Sequence, residues 1–251
     1  RETLNLLKGK SVNYSADLLF ALPGQSFETL ASDVREMLDF RPPHISPYCL
    51  TVPEGHVLSK GRPLEDTQLE MFKLIDRELR QAGYERYEIS NYSLPGFHSR
   101  HNSLYWEDQD YWGIGLSAHS FLKQGPWGVR FWNAANIGVY EKQILAQKDQ
   151  RWATPYEGLP ESQHETLAPH EALTDFCHTS LRRARGMNLE DLEMKFGVPG
   201  TRLVNGPLAK LVGDGLLEAD GPVYRLSGEG IFVSNSVFRE LTFLSEEWIS
   251  V

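Results

Sequence analysis

The feature that most constrains the fold is an alternation of short apolar runs with amphipathic helical patterns in the first third of the chain. Residues 16–22 form an apolar run that ends at Pro23-Gly24, which predicts a buried strand and a turn. Helical patterns follow, one capped by Ser26 and one over residues 65–82. Further strands are predicted at residues 44–50, 84–90 and 114–122. Strands that alternate with helices of this length indicate right-handed βαβ units and a parallel sheet.

These units suit the second half of a (β/α) barrel, and a doubly wound sheet fits the pattern almost as well. The chain opens with Arg1 in place of a methionine, and a helix is predicted directly after it, over residues 2–8. We therefore expect it to be part of a longer protein, with an amino-terminal portion that completes the barrel.

The pattern changes after about residue 150. Residues 151–169 are polar and contain three prolines, which is typical of a linker. Later helices are predicted at residues 170–183, 188–196 and 201–212, then a hairpin around Asp220-Gly221-Pro222 and a last helix to about residue 244. This order indicates a smaller α+β winged-helix-like domain, so we expect two domains, residues 1–150 and residues 151–251.

Charge and composition argue against several classes of function. The net charge is −9, and residues 170–251 carry eight basic and twelve acidic side chains. The predicted helix over residues 201–212 has only Arg202 and Lys210 as cations, whereas DNA binding needs several. We therefore expect no nucleic-acid partner and interpret this domain as a packing or protein-docking unit. No apolar run is long enough to span a bilayer, and two distant cysteines form no disulfide framework, which favours a cytoplasmic location.

The strongest candidate for a binding site is the stretch Arg100-His101-Asn102-Ser103-Leu104-Tyr105-Trp106, which we expect to lie in a connection between elements. Loops held by a rigid scaffold often carry binding residues. A metal site at His98 and His101 would need two further ligands. In one interpretation, His101 and Asn102 only hold the loop by hydrogen bonds. In the other, His101 offers a neutral imidazole to a metal such as haem iron, between walls formed by Tyr105 and Trp106.

Asp17 is the second candidate, because it lies within an apolar strand where a buried carboxylate costs several kcal/mol unless it is satisfied. An ion pair or a backbone hydrogen bond would satisfy it without any function. Alternatively, Asp17 faces a barrel lumen and binds a hydroxyl or amine of a ligand. The turn that follows this strand belongs to the carboxyl-end rim, where parallel α/β proteins place their sites.

Four segments together resemble the HemW/HemN family of radical S-adenosylmethionine (SAM) proteins, which is related to oxygen-independent coproporphyrinogen III oxidase. They are Asp17-Leu18-Leu19-Phe20-Ala21-Leu22-Pro23-Gly24-Gln25, His44-Ile45-Ser46-Pro47-Tyr48-Cys49-Leu50-Thr51, Gly83-Tyr84-Glu85-Arg86-Tyr87-Glu88-Ile89-Ser90-Asn91 and His101-Asn102-Ser103-Leu104-Tyr105-Trp106. The last fits the His-Asn-x-x-Tyr-Trp signature of the HemW branch, the haem chaperones. The resemblance implies a radical-SAM (β/α) barrel, with residues 1 to about 122 as its second half.

The resemblance also implies cofactors and site residues. Asp17, Thr51 and His119 match SAM-contacting positions, and His101 is the candidate haem ligand, with Tyr105 and Trp106 in the same motif. The family's Cys-x-x-x-Cys-x-x-Cys motif, which holds a [4Fe–4S] cluster, is absent from this chain, so its ligands are expected further upstream. A smaller departure is Ala21, where glycine is usual.

Three functions follow from the resemblance and the residues. The first is a HemW-like haem chaperone that delivers haem to an acceptor protein. The second is an oxygen-independent coproporphyrinogen III oxidase, which uses a SAM-derived radical to decarboxylate propionates. The third is a protein-docking module without catalysis. Without the cluster motif, we expect this polypeptide by itself to be inactive as a radical-SAM enzyme.

Overall fold

The first half of the chain is organised around a four-stranded mixed sheet. The computed structural model describes residues 1–10, 12–53, 55–147 and 154–250. The strands are β1 (Ser15–Phe20), β2 (His44–Cys49), β3 (Glu85–Glu88) and β4 (Asn91–Ser93), in the spatial order β1-β2-β4-β3. The helices are α1 (Glu2–Gly9), α2 (Phe27–Phe40) and α3 (Glu65–Gln81).

Local signals set the ends of these helices, as the sequence predicted. The Ser26 hydroxyl accepts a hydrogen bond from the Thr29 amide at 3.2 Å, and the Thr29 hydroxyl accepts one from the Ser26 amide at 2.9 Å. This reciprocal pair satisfies two amide groups that have no partner inside α2. Gly83, just beyond α3, has a φ of 87°, the left-handed conformation that glycine adopts at helix ends.

One face of the sheet is apolar and packs against α2 and α3. Phe20 and Ile45 of the sheet lie in one buried cluster with Leu30 of α2 and Ile75 of α3. Burying one such side chain contributes about 2 kcal/mol, so this cluster is the main source of stability in the first half.

The opposite face of the sheet is polar. Ser46, Glu88 and Asn91 are all buried on it. The Ser46 hydroxyl donates to the Asn91 side-chain oxygen at 2.6 Å. Buried polar groups must find partners, so this face requires neighbours that are themselves polar.

The expectation of a sheet with three or four parallel strands is wrong. Only β1 and β2 are parallel, with Asp17 opposite Ser46, whereas β4 is antiparallel to both β2 and β3. The third predicted strand reverses direction at Ile89–Ser90, where no helix intervenes to carry the chain across. The fold is mixed α/β, and the described strands do not close a barrel.

A separate antiparallel sheet follows, with the order β5-β6-β7. Its strands are β5 (His119–Leu122), β6 (Val129–Trp132) and β7 (His164–Thr166). Helix α4 (Arg100–Trp106) precedes β5, and helix α5 (Ile137–Gln147) lies between β6 and β7. The strand predicted at residues 114–122 therefore belongs to this sheet and not to the first. β7 also lies inside the predicted linker. The predicted domain boundary at residues 150–151 lies outside the described residues.

The last third of the chain contains a small helical domain with its own three-stranded sheet. The elements are α6 (Pro169–Arg182), β8 (Met187–Asn188), α7 (Leu189–Gly213), β9 (Leu217–Asp220), β10 (Val223–Leu226), α8 (Gly228–Phe232), α9 (Ser234–Glu240) and α10 (Ser245–Ile249). The predicted hairpin is confirmed as β9–β10, and β8 pairs with β10 as a third strand that the sequence did not reveal. The prediction of a single last helix to about residue 244 is wrong, because two short helices, α8 and α9, occupy that stretch and α10 follows it.

Helix α7 is two helices joined at a break. Asn188 caps it by accepting a hydrogen bond from the Glu190 amide at 2.9 Å, and Gly197 interrupts it with φ 63° and ψ −160°. Both features were predicted. Leu192 and Phe196 before the break and Leu208 after it face the same buried core, which also includes Phe121 of β5. Among the described residues, we find no helix with the length and apolarity needed to span a bilayer.

Candidate functional site

The stretch Arg100–Trp106 forms helix α4, so the prediction that it lies in a connection between elements is wrong. The Ser99 hydroxyl caps the helix by accepting a hydrogen bond from the Asn102 amide at 3.2 Å. Histidine, asparagine and aromatic residues are only middling helix formers, which is why composition alone favoured a loop. The serine before Arg100 is the signal that would have indicated a helix.

Helical spacing places His101 and Tyr105 on the same face of α4. The Tyr105 hydroxyl and His101 Nε2 lie 3.0 Å apart, and the two rings meet edge to face with centroids 4.9 Å apart. His101 is exposed to solvent. No described residue bonds to its other ring nitrogen, Nδ1. The imidazole is therefore oriented by Tyr105 and has one nitrogen available.

His101 borders a cavity of about 620 Å³ with two further histidines, His44 and His98. We call this the His101 side of α4. The His98 ring stacks on Tyr87 with centroids 4.5 Å apart. Among the described residues, no group of three or more His, Cys, Asp or Glu side chains is arranged to hold a metal ion.

His44 is the buried member of this side. Its Nδ1 lies 2.8 Å from the Ser15 hydroxyl, and its Nε2 lies 2.7 Å from the Tyr87 hydroxyl. Burial lowers the pKa of His44, with an opposing effect from the Asp17 carboxylate and a further lowering by His98. Burial also raises the pKa of Tyr87 to about 12. A neutral imidazole bonded to two neutral hydroxyls fits these surroundings.

The other side of α4 borders a cavity of about 530 Å³, which we call the Trp106 side. Its apolar walls are aromatic rings from α4, the segment after it and β5. Its polar lining comes from the polar face of the first sheet, from β6 and from α6. The lining residues are Tyr48, Ser90, Asn91, Asn102, Tyr105, Trp106, Asp108, Tyr111, Phe121, Arg130, Asp175, Thr179 and Arg182.

An ion pair between Glu88 and Arg182 connects the first sheet to α6 behind this cavity. Arg182 Nε lies 2.5 Å from Glu88 Oε2, and the Glu88 side chain is fully buried. The second oxygen of Glu88 accepts hydrogen bonds from the Ser90 amide, at 2.9 Å, and from the Asn91 side chain. The Arg182 guanidinium lies over the Trp106 ring, 4.4 Å from its centroid. Trp106 is thus positioned by the carboxy-terminal domain.

A second ion pair forms the opposite edge of the cavity. Arg130 of β6 contacts Asp175 of α6 and lies 3.3 Å from Glu165 of β7. Burial raises the pKa of Asp175, and the guanidinium of Arg130 opposes this shift. No functional role was predicted from sequence for Glu88, Arg182, Arg130 or Asp175. Only Glu88 lies in a segment that carries the resemblance, and the partners of all four are distant in sequence.

None of the three predicted SAM residues lines either of the two cavities beside α4. Asp17 lies on β1, Thr51 follows β2 and His119 begins β5 in the second sheet; all three are exposed. The expectation that Asp17 is buried is wrong, because β1 alternates between exposed and buried residues and Asp17 is on the exposed set. His119 stacks on Trp132, with centroids 5.5 Å apart. A Cβ at Gly113 would overlap the carbonyl oxygen of His119, so that glycine serves the packing of this loop.

The described residues do not fit a [4Fe–4S] cluster, which needs several thiolates close together. Cys177 is fully buried in the core of the last domain, and Cys49 is half-buried on β2. Burial raises the pKa of both thiols.

Comparison with known proteins connects this geometry to a family. Residues 167–233 match the family model for the HemN C-terminal domain. The chain is 30% identical to the heme chaperone HemW of Lactococcus lactis subsp. lactis over 94% of its own length and 60% of that protein. It is 28% identical to the heme chaperone HemW of Bacillus subtilis, over 90% of this chain and 58% of that protein. The chain thus spans about three fifths of the length of these curated relatives.

A solved structure has the same fold. It is described as "Coproporphyrinogen III oxidase (HemN) from Escherichia coli is a Radical SAM enzyme", and it superposes with a TM-score of 0.72. The superposition covers 96% of this chain and 57% of that one, at 15% sequence identity, so it supports the fold alone. Together these matches support the resemblance: residues 167–233 match the HemN C-terminal domain, and over most of its length the chain is similar to the heme chaperones named HemW.

Proposed function

We propose that this chain is the haem-binding part of a HemW-like haem chaperone, and that His101 is a ligand of the haem iron. The curated relatives that match most of its length are described as heme chaperones. The observation that carries the proposal is the geometry of His101. Its ring is exposed, its Nε2 is 3.0 Å from the Tyr105 hydroxyl, and its Nδ1 is available.

The chemistry of this pair suits an iron ligand. A metal-bound histidine usually donates the hydrogen of its other ring nitrogen to a fixed partner, which sets the tautomer and the ring orientation. Here His101 Nε2–H would donate to the Tyr105 oxygen, leaving the lone pair of Nδ1 for iron. Haem, when bound, would supply the iron; the protein supplies the oriented imidazole.

The resemblance also leads us to propose the other cofactors and the role of the whole protein. SAM is proposed to contact Asp17 on β1, Thr51 after β2 and His119 at the start of β5. A [4Fe–4S] cluster would need ligands from outside this sequence. Transfer of haem to an acceptor protein is the proposed role of the whole protein. The oxidase alternative is supported by the fold similarity to HemN, whereas the curated relatives over most of this chain are described as chaperones.

Titration of haemin into the purified chain tests the proposal. We expect a shift of the Soret band in the wild-type chain, and a weakening of binding by about tenfold or more in His101→Ala, because an iron–nitrogen bond is lost. His56→Ala is the matched control, since His56 is an exposed histidine in the loop after β2. Identical spectra and affinities for wild type and His101→Ala would rule out His101 as the ligand.

A further inference from the structure

We propose that Arg182 of the HemN C-terminal domain binds a carboxylate of the ligand, a propionate group of the tetrapyrrole, in the cavity on the Trp106 side. The proposal rests on the proposed function for its choice of ligand. It assigns a direct binding role to a domain for which the sequence suggested only packing or docking.

The guanidinium of Arg182 is held in place on one edge and open on another. Its Nε forms an ion pair with Glu88 at 2.5 Å, and its Nη2 donates a hydrogen bond to the Ser90 hydroxyl at 3.2 Å. Its Nη1 has no hydrogen-bond partner in the part of the chain that the structure describes. One quarter of the side-chain surface stays exposed, and the residue lines the cavity. A guanidinium fixed on two nitrogens is preorganised to receive a carboxylate on the third.

The cavity has the size and lining of a site for a flat, apolar ligand with an acidic group. Its volume of about 530 Å³ lies within the range of small-molecule sites. Tyr105, Trp106, Tyr111 and Phe121 supply aromatic surface for a macrocycle. The cavity also lies between the first sheet, the second sheet and the last domain, and such junctions are common places for ligands.

The other arginine in the cavity is less suited to this role. Arg130 uses one terminal nitrogen for Asp175 and the other for Glu165, so its charge faces two carboxylates. Among the described residues, Arg182 pairs with one carboxylate, that of Glu88. An incoming propionate would therefore meet less repulsion at Arg182 than at Arg130.

Tyr105 connects this cavity to the proposed iron ligand. Its hydroxyl lies 3.0 Å from His101, while its ring lines the cavity on the Trp106 side. A tetrapyrrole extending past Tyr105 would place its iron near His101 and an acidic edge near Arg182. The two contacts involve different chemical groups of the ligand, so they can be measured separately.

Metal-free protoporphyrin IX and its dimethyl ester are the probes, because neither needs an iron ligand and only the first has carboxylates. We expect Arg182→Met to weaken protoporphyrin IX binding by about tenfold to a hundredfold, the usual effect of losing a hydrogen bond to a charged group. Binding of the ester should be unchanged. Arg182→Lys, which keeps the charge beside Glu88, should restore part of the affinity. Arg225→Met is the control, since Arg225 pairs with exposed Asp220 on the hairpin.

The outcomes separate this inference from the proposed function. Equal weakening of both porphyrins would show that Arg182 only supports the structure of the cavity, and would overturn the inference. So would unchanged binding of protoporphyrin IX, or its failure to bind to the wild-type chain. If instead His101→Ala leaves haemin binding intact while Arg182→Met still weakens the acid selectively, the iron-ligand proposal fails and the carboxylate site stands. Circular dichroism of each variant confirms that it is folded.

Discussion

The two sides of α4 are built in different ways, although their residues are neighbours in sequence. The His101 side is formed by residues 13–15, 44 and 96–101, all from the first half of the chain. The Trp106 side needs the first sheet, the second sheet and α6 together. The segment Arg100–Trp106 is continuous in sequence, but its residues contribute to two different cavities. The cavity on the His101 side is built locally, whereas the cavity on the Trp106 side requires the carboxy-terminal domain.

Among the tests of this difference between the two sides of α4, we expect the largest effect from removing the buried charge of Glu88 behind Trp106. Glu88→Gln leaves Arg182 without its carboxylate in a mostly buried position. Breaking such a pair by changing one partner costs about 3 kcal/mol of unfolding free energy, somewhat less where the other partner is partly exposed, as here. Urea denaturation measures the loss.

Asp220→Asn provides the control for that experiment. Asp220 lies 3.5 Å from Arg225, and its side chain is 85% exposed. Loss of an exposed pair changes stability by about 0.5 kcal/mol or less. If Glu88→Gln costs no more than this control, the ion pair does not hold the Trp106 side together.

A smaller effect is expected on the pH dependence of the free energy of unfolding, to which two histidines contribute. Burial lowers the pKa of His44 on the His101 side, and burial likewise lowers that of His178 in α6, against a hydrogen bond to the Phe238 carbonyl. The unfolded chain then binds protons more readily than the folded one. The stability that the two neutral imidazoles contribute is present above the ordinary value of 6.5 and is lost as pH falls below it towards the folded pKa.

Urea midpoints at about pH 7.5 and about pH 5.5 check this expectation. The wild-type chain should be less stable at the lower pH, and His44→Asn should show a smaller difference between the two. His178→Asn gives the matching result for the last domain. An unaltered pH difference in His44→Asn would show that the bonds to Ser15 and Tyr87 do not depend on a neutral ring.

The smallest expected effect is that of Tyr105→Phe, which keeps the ring on the Trp106 side and removes the hydroxyl from the His101 side. An exposed hydrogen bond contributes about 0.5–1 kcal/mol, so haemin affinity should fall by about threefold. Protoporphyrin IX affinity should not change, because that probe has no iron. Equal weakening of both would indicate that the hydroxyl supports the cavity rather than His101.

Sequence patterns correctly predicted the structural features that depend on residues close together in the chain. The Ser26 cap, the break at Gly197 and the β9–β10 hairpin each involve contacts over a few positions, and each is present. Strand partners were predicted poorly, since pairing depends on distant segments. The reversal from β3 to β4 and the separate sheet containing β5 therefore did not follow from the pattern of strands and helices.

The candidate site shows the same limit. The motif led to His101, Tyr105 and Trp106, but not to Arg182, which is 76 residues beyond Trp106 in the numbering. Asp17 was expected inside because Leu18, Leu19 and Phe20 look buried on both faces. In the structure Leu19 is 46% exposed, so the strand has one apolar face and one open face.

Ala21, just after β1, adopts a left-handed backbone conformation with φ 60°, and its side chain is completely buried. The resemblance implies a glycine at this position, and a glycine would avoid the cost of about 1 kcal/mol that an L-residue has in this conformation. The alanine also restricts the unfolded ensemble, which a glycine would leave freer by a comparable amount. The lower conformational entropy of the unfolded chain with alanine thus offsets the backbone strain of alanine in the folded chain. We therefore expect exchange between glycine and alanine at residue 21 to change the free energy of unfolding little.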